Sequence, residues 1–315
     1  MAPSDERMTR RQCLALLAGA GAVVLAPEFC RAGNEIKLLR VAVSVETLAG
    51  ANINDARAAY KVWIAEVTRE FEHPTAEAVP GVFISSQELI RGIRQGTIDC
   101  FGVTALEFTE VADLADPNAL VLQDYLADGM EYVLLVHSSS RFNKLADLRG
   151  AQVLTHFHRD MVLLPAWLSI MLAANNLPAP ERFFGNLDAR GTLNQVVLPV
   201  FFRRADAACL ARGNWETAVE LNPQLGRDLR ALAVSPKIIP IAIGFRRGCN
   251  PNGHKMLLES MLTISNSAAG RQISALYQAR GFVARPTSVM NSTVEMVRQF
   301  ERLSVQQAGP RNGKP

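Results

Sequence analysis

Short apolar runs alternate with amphipathic helical segments along most of this chain, and no other feature narrows its possible folds as much. Leu38–Val43 is an apolar run broken only by Arg40, as in a strand buried on both faces of a parallel sheet. Asn54-Asp55 offers an N-cap to a helix carrying Ala56, Tyr60, Trp63, Val67 and Phe71 on one stripe. Val79–Ile84 reads as a second strand. Ser85-Ser86-Gln87-Glu88 then forms a capping box, the serine hydroxyl reaching forward and the glutamate back. Leu89, Ile90 and Ile93 face inward, and Gly96 stops the helix before a third strand at Ile98–Val103. The order β-α-β-α-β calls for parallel pairing with right-handed crossovers.

The pattern then restarts. Tyr132–Val136, Gln152–Thr155 and Ala205–Leu210 read as strands, with a short helix at Leu145–Gly150 and longer ones at Val162–Asn175 and Gly191–Phe202. Ile238–Gly244 is a strand running through Pro240, which suits an edge or a hinge. Helices follow at His254–Ser265, Gly270–Arg280 and Ser292–Leu303, and residues 306–315 form a polar tail expected to be disordered. One echo links the halves. A helix followed by Gln95-Gly96-Thr97-Ile98-Asp99-Cys100 recurs as a helix followed by Arg203-Arg204-Ala205-Asp206-Ala207-Ala208-Cys209. Either the match is chance, or the chain holds two similar α/β lobes with a cleft at the carboxyl ends of their strands.

Composition bounds the function. Apolar residues make up 49% of the 315 and charged residues 20%, the balance of an ordinary folded protein. The 33 basic and 30 acidic residues leave a net charge of +3 with no basic run, so a dedicated nucleic-acid binder is not expected. Residues 1–32 read as an export signal. Arg10-Arg11 follow Thr9, an apolar stretch runs from Ala15 to Ala26, and Cys30-Arg31-Ala32 makes a small-x-small cleavage site. The paired arginines suggest the twin-arginine route into the periplasm. The stretch is shorter than the roughly 20 apolar residues of a membrane-spanning helix. Removing it leaves Cys100, Cys209 and Cys249, an odd number, so at least one thiol is free. His156 and His158 could share a strand face, but carboxylates near them are few and no metal is expected. Nothing else in the sequence asks for a cofactor. Gly-x-Ser-x-Gly, Walker and Gly-x-Gly-x-x-Gly signatures are missing, so an enzyme is not expected.

Particular segments narrow this further. Leu39–Ser44, Asn54–Trp63, Glu88-Leu89-Ile90 with Gly96-x-x-Asp99, Leu145–Gly150 and Leu163-Leu164-Pro165 resemble the phosphate/phosphite/phosphonate-binding proteins of ABC importers. The resemblance implies a two-lobed type II periplasmic binding protein of the α/β class, with parallel-type sheets, flanking helices and a hinge. Residues 36–128 plus 235–305 would make one lobe and 129–234 the other, joined by crossing segments near Asp124–Tyr132 and Val234–Ile243. It also implies ligand positions at Ser44, at Glu107 with Phe108 beside it, and at Asp206. A Ser-Thr-Ser-type anion run ahead of the Leu-Leu-Pro helix becomes His158, Arg159 and Asp160 here, and a family histidine becomes Leu193. The scaffold therefore carries over while the anion chemistry changes.

Residue by residue, His158 and Arg159 precede a helix whose first amides favour negative charge. Arg159 either clamps an anion with two charge-assisted hydrogen bonds or pairs with Asp160 at the surface. Thr104 and Glu107 line the cleft or sit in a solvated loop. Thr155 and His156 leave a strand toward the same region, Thr192 and Asn194 open or cap a helix, and Asp206 caps a turn or binds ligand. A buried Glu107 or Asp206 needs a neutralising partner, for which ligand or Arg159 are the candidates. The expected function is a monomeric, non-catalytic periplasmic protein that captures a small anionic or zwitterionic ligand for an ABC permease. The alternative is a diverged binding domain serving a membrane sensor kinase or redox partner.

Overall fold

The computed structural model describes residues 39–48, 51–70 and 76–308. The expected export segment, Phe71 and the end of the tail lie outside them. Strands form wherever the apolar runs predicted them, and in quieter places besides. In chain order they are Leu39–Ser44 (β1), Ala76–Ile84 (β2), Cys100–Thr104 (β3), Ala115–Gln123 (β4), Tyr132–His137 (β5), Gln152–His156 (β6), Asn186–Arg190 (β7), Ala207–Ala211 (β8), Leu229–Val234 (β9), Ile241–Arg246 (β10) and Phe282–Arg285 (β11). They build two sheets, ordered β2-β1-β3-β10-β4-β11 and β7-β6-β8-β5-β9.

Both sheets are mixed, a correction to the expected parallel type. β1 pairs in parallel with β2 and β3, and β6 with β7 and β8, which are the crossover units read from the sequence. Each unit then takes an antiparallel neighbour beside its third strand, β10 against β3 and β5 against β8. β10 is therefore central, contrary to the edge placement expected from Pro240. The proline stays outside the ladder just ahead of Ile241, and its carbonyl accepts the Ala105 amide at 2.7 Å, so its missing N–H leaves no gap in the sheet.

Helices form on local rules. The helix Ile53–Glu70 (α1) buries Ala56, Tyr60, Trp63 and Val67 as its spacing predicts, and burial of a side chain the size of Val67 is worth about 1.5–3 kcal/mol. Its cap is Asn52, not Asn54 or Asp55: the Asn52 side-chain oxygen accepts the Asn54 amide at 2.8 Å. The helix Ser86–Arg94 (α2) has the predicted Ser85–Glu88 capping box, and Gly96 follows it at φ +69°. Ala105–Val111 (α3) and Leu164–Ala174 (α4) follow β3 and β6, and the last helix runs to Ala308, past its expected end at Leu303.

The largest core is shared. Phe101, Leu120 and Leu122 of the first sheet belong to the same buried cluster as Leu134 and Val153 of the second. Tyr132, Ile238 and Ile239, at the two places where the chain passes between sheets, lie in it too. There Met130 and Ile238 pair as an isolated antiparallel bridge, and the Tyr132 amide donates to Ser235 Oγ at 2.7 Å. The described residues all belong to one compact unit.

Candidate functional site

A cleft of about 600 Å³ opens beyond the carboxyl ends of β1 and β6, where α/β sheets gather ligands. Val45, Glu46, Leu48 and Ile53 line it from the first sheet's side, and Thr155, His156, His158 and Arg159 from the second's. The turn Val45–Leu48 after β1 lies against the turn Arg159–Met161 after β6. Two chain segments far apart in sequence thus make one site.

The second-sheet turn is held from beneath. Tyr132, fully buried, donates its hydroxyl to the Asp160 carbonyl at 2.5 Å and accepts the Leu163 amide at 3.3 Å. His158 caps the turn, its Nδ1 accepting the Asp160 amide at 3.3 Å. Asp160 does not pair with Arg159; its carboxylate lies 3.4 Å from His158 Nδ1 and accepts from the Tyr125 hydroxyl at 3.3 Å. His156 and His158 stack, ring centroids 5.5 Å apart. Burial first, and the neighbouring His158 second, hold His156 below the usual histidine pKa, which favours its neutral form.

Arg159 is the unusual group. The residue is 5% exposed, and its Nη1 donates to the Leu276 carbonyl at 2.9 Å, reaching the first sheet's layer. The guanidinium lies over the Tyr277 ring, 5.5 Å from the centroid. Among the described residues its Nε and Nη2 are buried without a partner in hydrogen-bond geometry, although the Tyr125 phenol lies close enough to interact with the guanidinium. An unsatisfied buried donor costs about 1–3 kcal/mol, more when charged.

The first-sheet candidates are spent on structure. Thr104 caps α3, and Glu107 closes the box by accepting the Thr104 amide at 2.8 Å and its hydroxyl at 2.9 Å. The Ser44 hydroxyl donates to the other Glu107 oxygen. Hydroxyls and an amide therefore stabilise this buried carboxylate, where ligand or Arg159 was expected to do so. Ser44, Thr104 and Glu107 lie under the cleft rather than along it. Phe108 packs into the shared core, because a helix that opens at Thr104 turns its fourth residue inward.

Asp206 is at the wrong end of its sheet. Its carboxylate accepts the Gln152 amide at 2.8 Å, where β6 begins, and the cleft lies where β6 finishes. Thr192 and Asn194 start the helix Leu193–Phe201 on an exposed face and do not line the cleft, and Leu193 packs against the second sheet's own core. Of the predicted residues, the structure brings Thr155, His156, His158 and Arg159 together, with Asp160 directly behind. It adds Glu46, Tyr125 and an apolar wall that sequence reasoning passed over. The signal for Val45–Ile53 was position, since the chain leaving a strand's carboxyl end must border the cleft.

Among the described residues no group of three or more His, Cys, Asp or Glu side chains could hold a metal, and no helix is long and apolar enough to cross a membrane. Cys100, Cys209 and Cys249 are free, and partial burial pushes the Cys249 thiol up to about 11.

The family described as the phosphonate ABC transporter periplasmic substrate-binding protein matches residues 52–287. The chain belongs to it. As such it is a periplasmic protein that binds a small molecule for delivery to a membrane permease, and the sensor or scaffold alternative is not favoured. A binding protein component of an ABC phosphonate transporter from Pseudomonas aeruginosa shares its fold, with a TM-score of 0.53 and 13% identity over 88% of this chain and 91% of that one. So does PhnD1 from Prochlorococcus marinus in complex with methylphosphonate, with a TM-score of 0.53 and 14% identity over 85% and 100%. A third is XAC2383 from Xanthomonas citri bound to ATP, with a TM-score of 0.56 and 16% identity over 85% and 98%. These neighbours carry the type II periplasmic binding fold expected from the sequence. The search of curated proteins found no match.

Proposed function

We propose that this protein captures a small oxyanion of the phosphonate or sulfonate class in the cleft between its sheets, with Arg159 as the principal anion-holding group. One observation carries the reading: a guanidinium that is nearly fully buried, with two donors unpaired, in the turn that borders the cleft. Paired N–H donors on a planar guanidinium suit two oxygens of one anion. Thr155 and the His156–His158 pair supply further hydrogen bonds around it. Residues 36–128 plus 235–305 and residues 129–234 act as hinged lobes, with the Met130–Ile238 crossing as the flexing point. Ligand touching both lobes stabilises the closed state. Residues 1–32 export the folded protein by the twin-arginine route, and it works as a monomer without a cofactor.

Thermal unfolding with methylphosphonate, phosphate and methanesulfonate tests the reading. At ligand a hundredfold above Kd, stability rises by about 2.7 kcal/mol. Small-angle scattering shows the particle contract with the same ligand. A folded protein whose melting temperature ignores every oxyanion would overturn the proposal.

A further inference from the structure

We infer that the ligand carries a bulky apolar substituent on its oxyanion head, so that this cleft takes an alkyl- or aryl-substituted phosphonate or sulfonate in preference to the bare anion. The inference rests on the oxyanion reading above and concerns the part of the ligand that Arg159 does not hold.

The cleft is divided by chemistry. Its hydrogen-bonding groups on the second-sheet side lie in one five-residue segment, Thr155–Arg159. Most of the remaining wall is aliphatic and comes from several elements: Leu48 and Ile53 before and within α1, Val162 ahead of α4, Leu164 and Leu168 within it, and Leu187 from β7, of which Ile53, Val162 and Leu187 keep exposed surface. Volume points the same way. About 600 Å³ corresponds to roughly 20 water volumes at about 30 Å³ each. An oxyanion of five or so heavy atoms displaces only about two or three of them. Held alone at Arg159, it would leave the part of the apolar wall that keeps exposed surface, Ile53, Val162 and Leu187, wetted, and that surface gains free energy only when an apolar group covers it. Leu187 at 41% exposure and Phe157 at 58% stand solvent-exposed in this lining, with area left for a ligand to bury. Glu46, the acidic residue in the lining, is contributed by the first-sheet turn and disfavours a second anionic group on the ligand. The head therefore goes to Arg159 and an uncharged tail runs along Ile53, Val162 and Leu187.

Calorimetric titration of the full chain with methyl-, propyl-, hexyl- and phenylphosphonate tests this, with 2-aminoethylphosphonate and hexanol run alongside. Affinity should rise about fourfold per methylene over the first few carbons, as burial of about 0.8 kcal/mol per methylene requires. The heat-capacity change should grow more negative with tail length. Ile53→Asn and, separately, Leu187→Asn should flatten the series, lowering hexylphosphonate affinity several-fold more than methylphosphonate affinity; both positions are at least partly exposed, so neither change empties the core. If methylphosphonate or 2-aminoethylphosphonate binds as tightly as the hexyl and phenyl compounds, the apolar tail is wrong and the oxyanion reading stands. If no phosphonate binds, or hexanol binds as well as hexylphosphonate, the oxyanion reading fails and this inference fails with it.

Discussion

The two sheets repeat one plan and differ at one end of it. Strand order β2-β1-β3-β10-β4 in the first corresponds to β7-β6-β8-β5-β9 in the second, with the same sequence of parallel and antiparallel pairings. The amino ends match down to the atoms. Asp99 accepts the Arg40 amide at 3.2 Å and gives its own amide to the Arg40 carbonyl at 2.9 Å; Asp206 does the same with Gln152 at 2.8 and 3.1 Å. The carboxyl ends diverge. In the first sheet Ser44, Thr104 and Glu107 satisfy one another and close the surface. In the second, the chain leaving β6 exposes two histidines to the cleft and leaves an arginine short of partners. The cleft thus lies at the end where a buried strand-end cation keeps donors that capping does not consume.

That contrast can be broken experimentally. The largest effect belongs to the open end. Arg159→Gln should weaken methylphosphonate binding by about 30-fold to 1,000-fold, the range for removing one partner of a buried charge pair. The ligand-free protein should change in stability by no more than about 1 kcal/mol, since loss of a buried charge with unpaired donors offsets loss of the Leu276 hydrogen bond and the Tyr277 contact. Calorimetry with denaturant unfolding reads both. The sealed end should behave oppositely. Glu107→Ala strands two hydroxyls and an amide and should cost about 3 kcal/mol in urea unfolding, with methylphosphonate affinity within about threefold.

The amino ends sharpen the comparison. Asp99 also binds the Arg40 and Arg246 side chains at 2.9 and 2.7 Å, which Asp206 does not. Asp99→Ala should therefore cost about 2 kcal/mol against about 1 for Asp206→Ala, and neither should touch ligand affinity. Burial pushes the Asp99 carboxyl up, but its bonds from Arg40 and Arg246 outweigh that and leave it titrating below the ordinary value. Its contribution is thus full above the unfolded pKa of about 3.9 and is lost as pH falls through the lower folded value. Acid unfolding of the two alanine variants reads the difference. The smallest effect compares the turns before these aspartates. Gly96 adopts φ +69° freely, whereas Arg203 sits at φ +56° with a side chain and one hydrogen bond to Ser139. Arg203→Gly should raise stability by about 0.5–1 kcal/mol in the same assay.

Legibility followed burial. β1, β3, β5, β6 and β8 are dense apolar runs because they are interior strands buried on both faces, and each was readable within a residue or two. β7 and β9 are edge strands with mostly exposed or half-buried residues, and β4 opens with Asp116-Pro117-Asn118, so their periodicity says little. The site divides likewise. The turn His156–Asp160 was conspicuous for its charge, and the wall from Val45 to Ile53 was invisible because aliphatic residues look like core wherever they occur. Asp206 was read as a turn cap or a ligand position, and its bond from the Gln152 amide places it in the scaffold as Asp99 is placed by its bond from Arg40.

Tyr132 carries the last consequence. Its backbone is pinned to Ser235 at the crossing between sheets, through an amide at 2.7 Å and a carbonyl at 2.9 Å, while its phenol grips the turn at Asp160 and Leu163. One rigid aromatic side chain thus ties the crossing to the turn that carries Arg159. On the proposed hinge, a swing about that crossing would transport the turn as a single solid piece, so occupancy inside the crevice would be broadcast outward as a change of silhouette.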